Sequence, residues 1–219
     1  MIVHKKEVQD KVRKFVSGGG TVVFTYRTAV KDYYNNLTLG QFNPTYYTDL
    51  VGGYVEEVES FQDDQVALLI GNEEFEGING TATVFRDMLK TTTAKTLFKY
   101  EDEFFEDLAA VTLNEYEGGK VYYIGSGADN TIMDAITNKI INESNLDAIE
   151  SEEGVEVVRR SLNNEDYYFV MNHTSDEKKF RNEILKAYEF FRLKNVEIDL
   201  VILNEEPNSY EKYTKETIQ

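Results

Sequence analysis

Gly18-Gly19-Gly20 separates two segments of different period, and that juxtaposition restricts the fold more than any other feature of the chain. Upstream, Val8, Val12, Phe15 and Val16 recur at helical spacing among Lys and Glu. Downstream, Thr21-Val22-Val23-Phe24-Thr25-Tyr26 is a short run of β-branched and aromatic residues. The glycines stop the helix with a left-handed C-terminal cap. The run after them predicts a buried strand of a parallel sheet. Helix, glycine turn and strand make half of a βαβ unit, so an α/β fold is expected.

Residues 27–53, with polar clusters and Pro44, predict irregular chain and a short helix around Tyr46–Val51. Strands are expected at Tyr54–Val58, Gln65–Ile70, Thr83–Met88 and Thr96–Tyr100. Val111–Tyr116 and Lys120–Ile124 flank Glu117-Gly118-Gly119 and predict a hairpin. Ile132, Ile136 and Ile140 place a helix over Asn130–Asn142, with Thr131 and Asp134 at capping-box spacing. Val155–Arg160 and Tyr167–Val170 form a second strand pair around Asn163-Asn164. Phe180, Ile184, Tyr188 and Phe191 predict a helix over Phe180–Lys194. The apolar run Val196–Leu203 then predicts an interior strand, added to the sheet by a right-handed crossover.

Charge narrows the partners. The 219 residues carry 40 acidic and 23 basic side chains, a formal charge of −17. Such a surface repels phosphate backbones and anionic lipids, so neither nucleic acid nor membrane is expected as a partner. The acidic runs Glu73-Glu74, Glu101-Asp102-Glu103 and Glu150 to Glu153 read as solvated loops and helix ends. Without cysteine there are no disulfides, thiolate nucleophiles or zinc–sulfur sites. His4 and His173 are the two histidines and lie far apart, which argues against a Ser-His-Asp triad or a His-rich metal site. No cofactor is expected. The N-terminus has no apolar signal core and no apolar run suits a membrane span, so a cytoplasmic location is expected.

Few motifs carry chemistry. Gly125-Ser126-Gly127 follows a strand and precedes a helix, where backbone N–H groups could meet an anion. Asn130 stands where a dinucleotide fingerprint needs its third glycine, so the segment reads as a tight turn. No Lys-Ser/Thr follows Gly18-Gly19-Gly20, which excludes a P-loop there. Glycosidase chemistry needs two acids about 5–10 Å apart across a sugar, and no pair here is singled out by an apolar setting. Arg27 ends a strand and is followed by Lys31 and Asp32, a charged cluster where α/β folds place binding loops. It reads as an interface or salt-bridge arginine.

Taken in order, several blocks resemble the trimerisation domain of family 42 β-galactosidases over about residues 8–174. They are Phe15-Val-Ser-Gly-Gly-Gly-Thr-Val-Val-Phe-Thr-Tyr-Arg27, Val30-Lys-Asp32 with Asn35, Asp49-Leu-Val-Gly52, Val55-Glu-Glu57, Ala94–Tyr100, Asp102 to Phe105 and Ala110-Val-Thr112. Gly119-Lys-Val-Tyr-Tyr-Ile-Gly125, Gly154-Val-Glu-Val-Val158 with Arg159-Arg160, and Phe169-Val-Met-Asn-His-Thr174 complete the set. The resemblance implies a flavodoxin-like, three-layer α/β domain similar to class I glutamine amidotransferases, without their nucleophile and truncated at its N-terminus. It implies a module that trimerises and helps close a neighbouring subunit's active site. The family's catalytic glutamates lie in an upstream barrel, so no catalytic, cofactor or metal residue carries over. Arg27, Lys31, Asp32 and Asn35 become a candidate interface or neighbouring-site cluster.

The chain departs from the family pattern at Phe42-Asn-Pro-Thr-Tyr46, in place of a Pro-Gly-Pro-Leu-like segment, and at Asp107-Leu-Ala109, in place of Gly-x-Pro. The family's opening strands are missing, which implies an exposed sheet edge. Beyond Thr174 the family continues into a small β-sandwich. Phe180–Gln219, especially Val196 to Glu205 and Asn208-Ser-Tyr210, instead resembles a stretch of cyclic β-1,2-glucan synthases and family 94 phosphorylases. Two parts are therefore expected, 1–174 and a helix–strand segment 175–219 of different origin. The expected function is assembly, as a homotrimer or with a β-galactosidase barrel. A carbohydrate-binding module, favoured by 15 tyrosines, and an independent glycoside hydrolase are the alternatives.

Overall fold

The first helix, α1 (Lys6–Ser17), ends where the glycines begin. Gly19 takes φ 90°, and the Gly19 and Gly20 amides donate to the Val16 and Phe15 carbonyls at 2.9 and 3.0 Å. This is the left-handed cap the sequence predicts. The structure is a computed structural model that describes residues 5–102, 104–144, 149, 151–173 and 177–202. The chain divides into two units, Met1–Leu146 and Asp147–Gln219. Among the described residues no helix is long and apolar enough to cross a membrane.

In the first unit α1 leads to β1 (Thr21–Thr25), then α2 (Thr48–Val51), β2 (Gly53–Ser60) and β3 (Ala67–Gly71). A 3-10 turn at Glu73–Phe75 precedes β4 (Asn79–Thr91), β5 (Lys95–Tyr100), β6 (Ala109–Tyr116), β7 (Gly119–Ile124), β8 (Ser126–Ala128) and α3 (Asn130–Glu143). These strands make one eight-stranded sheet in the order β1-β7-β6-β5-β3-β4-β2, with β8 beside β4. Strand alternation divides the core. On β7, Tyr122 and Ile124 join Leu69, Phe98, Met88 and Ile132 in one cluster, whereas Val121 and Tyr123 join Val16, Phe24, Tyr47 and Leu50 in another. Helix α3 covers the first face and α1 with α2 the second. Where α1 ends against β7, a Cβ on Gly119 would lie 2.1 Å from the Val16 carbonyl oxygen, so only glycine fits.

The flavodoxin-like architecture is corrected by this sheet. Only β1 and β7 pair in parallel, and all other pairings in the sheet are antiparallel. A parallel flavodoxin sheet needs a helical crossover between successive strands. Here β6 and β7 are joined by a two-residue turn, and β3 and β4 by a short 3-10 connection. The run Thr21–Thr25 looked interior because short β-branched runs do not reveal their neighbours. It instead takes the end of the sheet order, with Phe24 buried and Val23 43% exposed.

Smaller differences have local causes. β4 runs well beyond Thr83–Met88, because Gly80 and a bulge at Val84, φ 68°, hide its period from the sequence. The cap of α3 is Asp129, which accepts from the Ile132 amide at 3.2 Å, not Thr131. Gly125-Ser126-Gly127, read as a tight turn, runs into a short strand instead: residues 126–128 pair with β4.

In the second unit β9 (Val155–Leu162) and β10 (Glu165–Asn172) form a hairpin, and α4 spans Glu177–Leu193. The interior strand expected at Val196–Leu203 does not form over 196–202. Val196, Ile198 and Val201 are 47%, 41% and 79% exposed. An apolar run becomes a strand only beside another strand, and among the described residues none pairs with it. His4, Glu103, Glu150, Thr174, Leu203 and the segment 204–219 lie outside the described residues.

Candidate functional site

The chain leaves β1 through a strained turn. Arg27 and Ala29 take φ 61° and 53°, unfavourable for residues with a Cβ. Three contacts hold it: the Arg27 amide donates to Asp87 Oδ2 at 2.7 Å, Thr28 Oγ1 donates to the Thr25 carbonyl at 2.6 Å, and the Tyr26 ring stacks on Phe85 at 5.9 Å. The Arg27 guanidinium lies 5.5 Å from the same Phe85 ring. Thr28, Ala29 and Val30 are buried.

Beyond that base the loop opens. Lys31 and Leu37 form an isolated antiparallel bridge, and Lys31 Nζ donates to Asn35 Oδ1 at 2.9 Å. Asp32 Oδ1 accepts from the Tyr34 and Asn36 amides, both at 2.9 Å. Those bonds, with Asn36 first, hold the Asp32 carboxyl below its ordinary value. The structure thus brings Lys31, Asp32 and Asn35 into one tight loop and anchors Arg27 separately on β4. Around them Tyr33, Tyr34, Leu37, Leu39 and Phe42 are more than half exposed, Leu39 to 87%. A polar knot with an apolar rim can grip a surface.

Two residues escaped the sequence reading. Asp87, 1% exposed, accepts at Oδ2 from the Tyr123 hydroxyl as well, at 2.7 Å. Burial raises its carboxyl above the ordinary range, against the Arg27 and Tyr123 hydrogen bonds. The signal was there: strand period places Asp87 on the face of Phe85 and Leu89, where an apolar residue is expected.

The acidic runs are less solvated than expected. Asp102 pairs with Arg86 Nη1 at 3.0 Å, and Arg86 is nearly buried among Phe61, Tyr100 and Phe105. Glu74 and Glu143 are both paired with Lys139. Burial opposes the Glu143 charge, but bonds from Lys139, Lys120 and Tyr122 outweigh it and bring its pKa to about 2. Lys139 and then Lys95 lower Glu74. A glycosidase acid must instead be raised and reach its sugar; these two are lowered, and Asp87 is raised but sealed in. Among the described residues no three His, Asp or Glu side chains gather as a metal ion would need.

The sequence profile of the β-galactosidase trimerisation domain matches residues 1–147. The chain belongs to that family. The β-galactosidase C-terminal domain profile also matches, over residues 154–188. A β-galactosidase of Clostridium cellulovorans is 30% identical over 182 residues, covering 80% of this chain and 26% of that protein. One of Planococcus sp. (strain L4) is 26% identical over 168 residues, covering 75% and 25%. The solved β-galactosidase from Bacillus circulans sp. alkalophilus shares the fold at a TM-score of 0.74 and 24% identity, covering 80% of this chain and 26% of that one. The chain spans about a quarter of the length of these relatives. The family 42 resemblance is borne out: the blocks from Phe15 to Gly125 lie within the trimerisation-domain match, whereas those from Gly154 onward lie within the C-terminal-domain match. The glutamine amidotransferase-like sheet is not borne out.

Proposed function

We propose that this trimerisation domain is an assembly module without chemistry of its own, which self-associates as a trimer or docks on a β-galactosidase barrel in the cytoplasm. The loop after β1 carries the reading. Its base is buried and hydrogen-bonded, while Tyr33, Tyr34, Leu37, Leu39 and Phe42 are held in water beside Arg27, Lys31, Asp32 and Asn35. Ordered apolar side chains left in water beside a hydrogen-bonded polar cluster supply the mixture of apolar and polar groups from which protein interfaces are built. The Lys139-neutralised carboxylates and the sealed Asp87 support the absence of hydrolysis. Light scattering of the purified chain at tens of micromolar should show a trimer, and a chromogenic galactoside should stay uncleaved. A clean monomer overturns the trimer and leaves docking on a barrel, whereas hydrolysis lost on mutating one acid of this chain overturns the reading altogether.

Carbohydrate binding remains the second reading, favoured by the exposed Tyr33 and Tyr34 rings, 5.2 Å apart. Isothermal titration with galactosides separates the two: heat that is lost in Tyr34→Ala supports sugar binding, and no heat supports assembly.

A further inference from the structure

Asp87 occupies an interior strand position, yet it spends only half of its carboxylate. Oδ2 takes the Arg27 amide and the Tyr123 hydroxyl, whereas Oδ1 is buried without a hydrogen-bond partner. We propose that Asp87 is the positioning residue of the loop after β1: braced by Tyr123, its carboxylate holds the Arg27 amide and so fixes the left-handed turn that presents Lys31, Asp32 and Asn35. The consequence for self-association rests on the assembly reading; the positioning of the turn does not.

Stability alone does not account for a carboxylate here. Its folded pKa is raised, chiefly by burial. A group of that kind contributes stability below its unfolded pKa and loses it as pH rises through the folded pKa, so the ionised form works against the fold. An orphaned oxygen adds to that cost. What the charge gives in return is a strong acceptor for one particular amide, the amide of a residue forced to φ 61°. Residues kept at such angles persist where surrounding contacts over-determine them, and they cluster at functional places. Three further contacts agree: Tyr26 and Arg27 rest on Phe85, two positions before Asp87 on β4, and Thr28 closes back on Thr25. The titratable and charged groups around Asp87 are Arg27 from the turn, Tyr123 from β7, Tyr100 from β5, whose hydroxyl donates to the Asp87 carbonyl at 3.3 Å, and Arg86 on β4 itself. Arg86 is paired with Glu59 and Asp102, and both phenols are raised by burial first. Asp87 is therefore the one carboxyl among them.

Protonating Asp87 turns a charge-assisted acceptor into a neutral one and puts a proton on an oxygen with no acceptor beside it. The test starts with the unaltered chain. In an NMR titration the Arg27 amide proton should shift with the same midpoint as the Asp87 carboxyl carbon. Self-association measured by light scattering should weaken about tenfold across that midpoint, as expected for losing one charge-assisted hydrogen bond. Asp87→Asn keeps an oxygen acceptor and removes the charge; it should hold or raise Tm while abolishing the Arg27 titration. Tyr123→Phe, which removes the brace, should lower the midpoint of neither resonance and broaden the Arg27 amide. An Arg27 amide blind to the Asp87 carboxyl overturns the proposal. So does an Asp87→Asn chain that loses as much Tm as a core deletion yet associates normally. If Arg27→Ala associates normally while the Arg27 amide of the unaltered chain still follows Asp87, the contact reading fails and the positioning stands.

Discussion

Two hairpins in this chain share a turn geometry and differ in nearly everything else. β6 and β7 are joined by Glu117 and Gly118 at φ 46° and 91°; β9 and β10 are joined by Asn163 and Asn164 at 53° and 64°. Both are two-residue turns with both central residues left-handed, the geometry that matches strand twist. Yet Val111, Val121, Tyr122 and Tyr123 are completely buried, while Tyr168 and Phe169 are 56% and 54% exposed. The difference lies in the neighbours. β7 lies between β1 and β6, and β6 between β7 and β5, whereas β9 and β10 form a two-stranded sheet. Turn chemistry is local and decides that a hairpin forms; burial depends on strands distant in sequence and decides how strongly it is held. A two-stranded hairpin alone is marginal in water.

The largest expected effect follows directly. Tyr122→Ala should cost about 3–5 kcal/mol, the range for deleting a large buried ring. It would also remove the 3.1 Å bond from the Tyr122 hydroxyl to Glu143. Urea unfolding should show a fall in midpoint with an unchanged slope. A cost under about 1 kcal/mol would mean that the first hairpin is no better held than the second, and the comparison would fail.

The same division explains what the sequence made legible. Helices α1, α3 and α4 and both hairpins could be read because their signals are local: apolar spacing, the stop at Gly18 to Gly20, and the turn pairs Glu117-Gly118 and Asn163-Asn164. Sheet order could not be read. Nothing in Thr21–Thr25 says that its one neighbour among the described strands is β7, about a hundred residues on. Nor does the run 196–202 announce that no described strand pairs with it. At the site, Arg27 stood out at a strand end, and the polar residues at 31, 32 and 35 were close enough in sequence to suggest a cluster. Asp87 is sixty residues from the amide it holds. A buried charge in a strand shows only as a break in an apolar face, and the partner that explains it must be supplied by the fold.

A smaller effect sharpens the account of the well-held sheet. Glu143 at the end of α3 binds Lys120 and Tyr122 of β7 at 2.9 and 3.1 Å, and Lys139 one helical turn back. Its pKa falls from 4.5 to about 2. A depressed carboxyl contributes stability above its unfolded value, and that stability is lost as pH falls from 4.5 towards about 2. The full shift would correspond to about 3 kcal/mol, and screening at this part-exposed network reduces it to about 1–2 kcal/mol. Glu143→Gln should therefore lower stability at neutral pH by about that much and flatten the acid limb of a stability–pH curve. An acid limb that keeps its slope in the variant would show that the network adds nothing to the first hairpin.

The smallest expected effect is at the exposed hairpin, and it tests the other half of the comparison. On β10, Tyr167, Phe169 and Met171 alternate along one face, and directly across from them on β9 stand Arg160, Val158 and Glu156. Phe169 contributes apolar area to that face, but with half of the ring in water little of it is withdrawn on folding, so little is lost when the ring goes. Phe169→Thr replaces an aromatic residue by a β-branched one, both with good strand propensity, and leaves the Phe169–Val158 backbone register undisturbed. The change should stay within about 0.5 kcal/mol, as for surface substitutions away from caps, cores and ion pairs. The measurement must report on this unit alone, for example amide exchange at Val157 and Val170, because global unfolding of the larger sheet would mask it. Unchanged protection in Phe169→Thr would place the stability of this hairpin in its turn and backbone ladder. A loss of about 2 kcal/mol or more would instead equal burial of a whole apolar side chain, which would mean that this face is covered in solution and that the two hairpins are held in the same way.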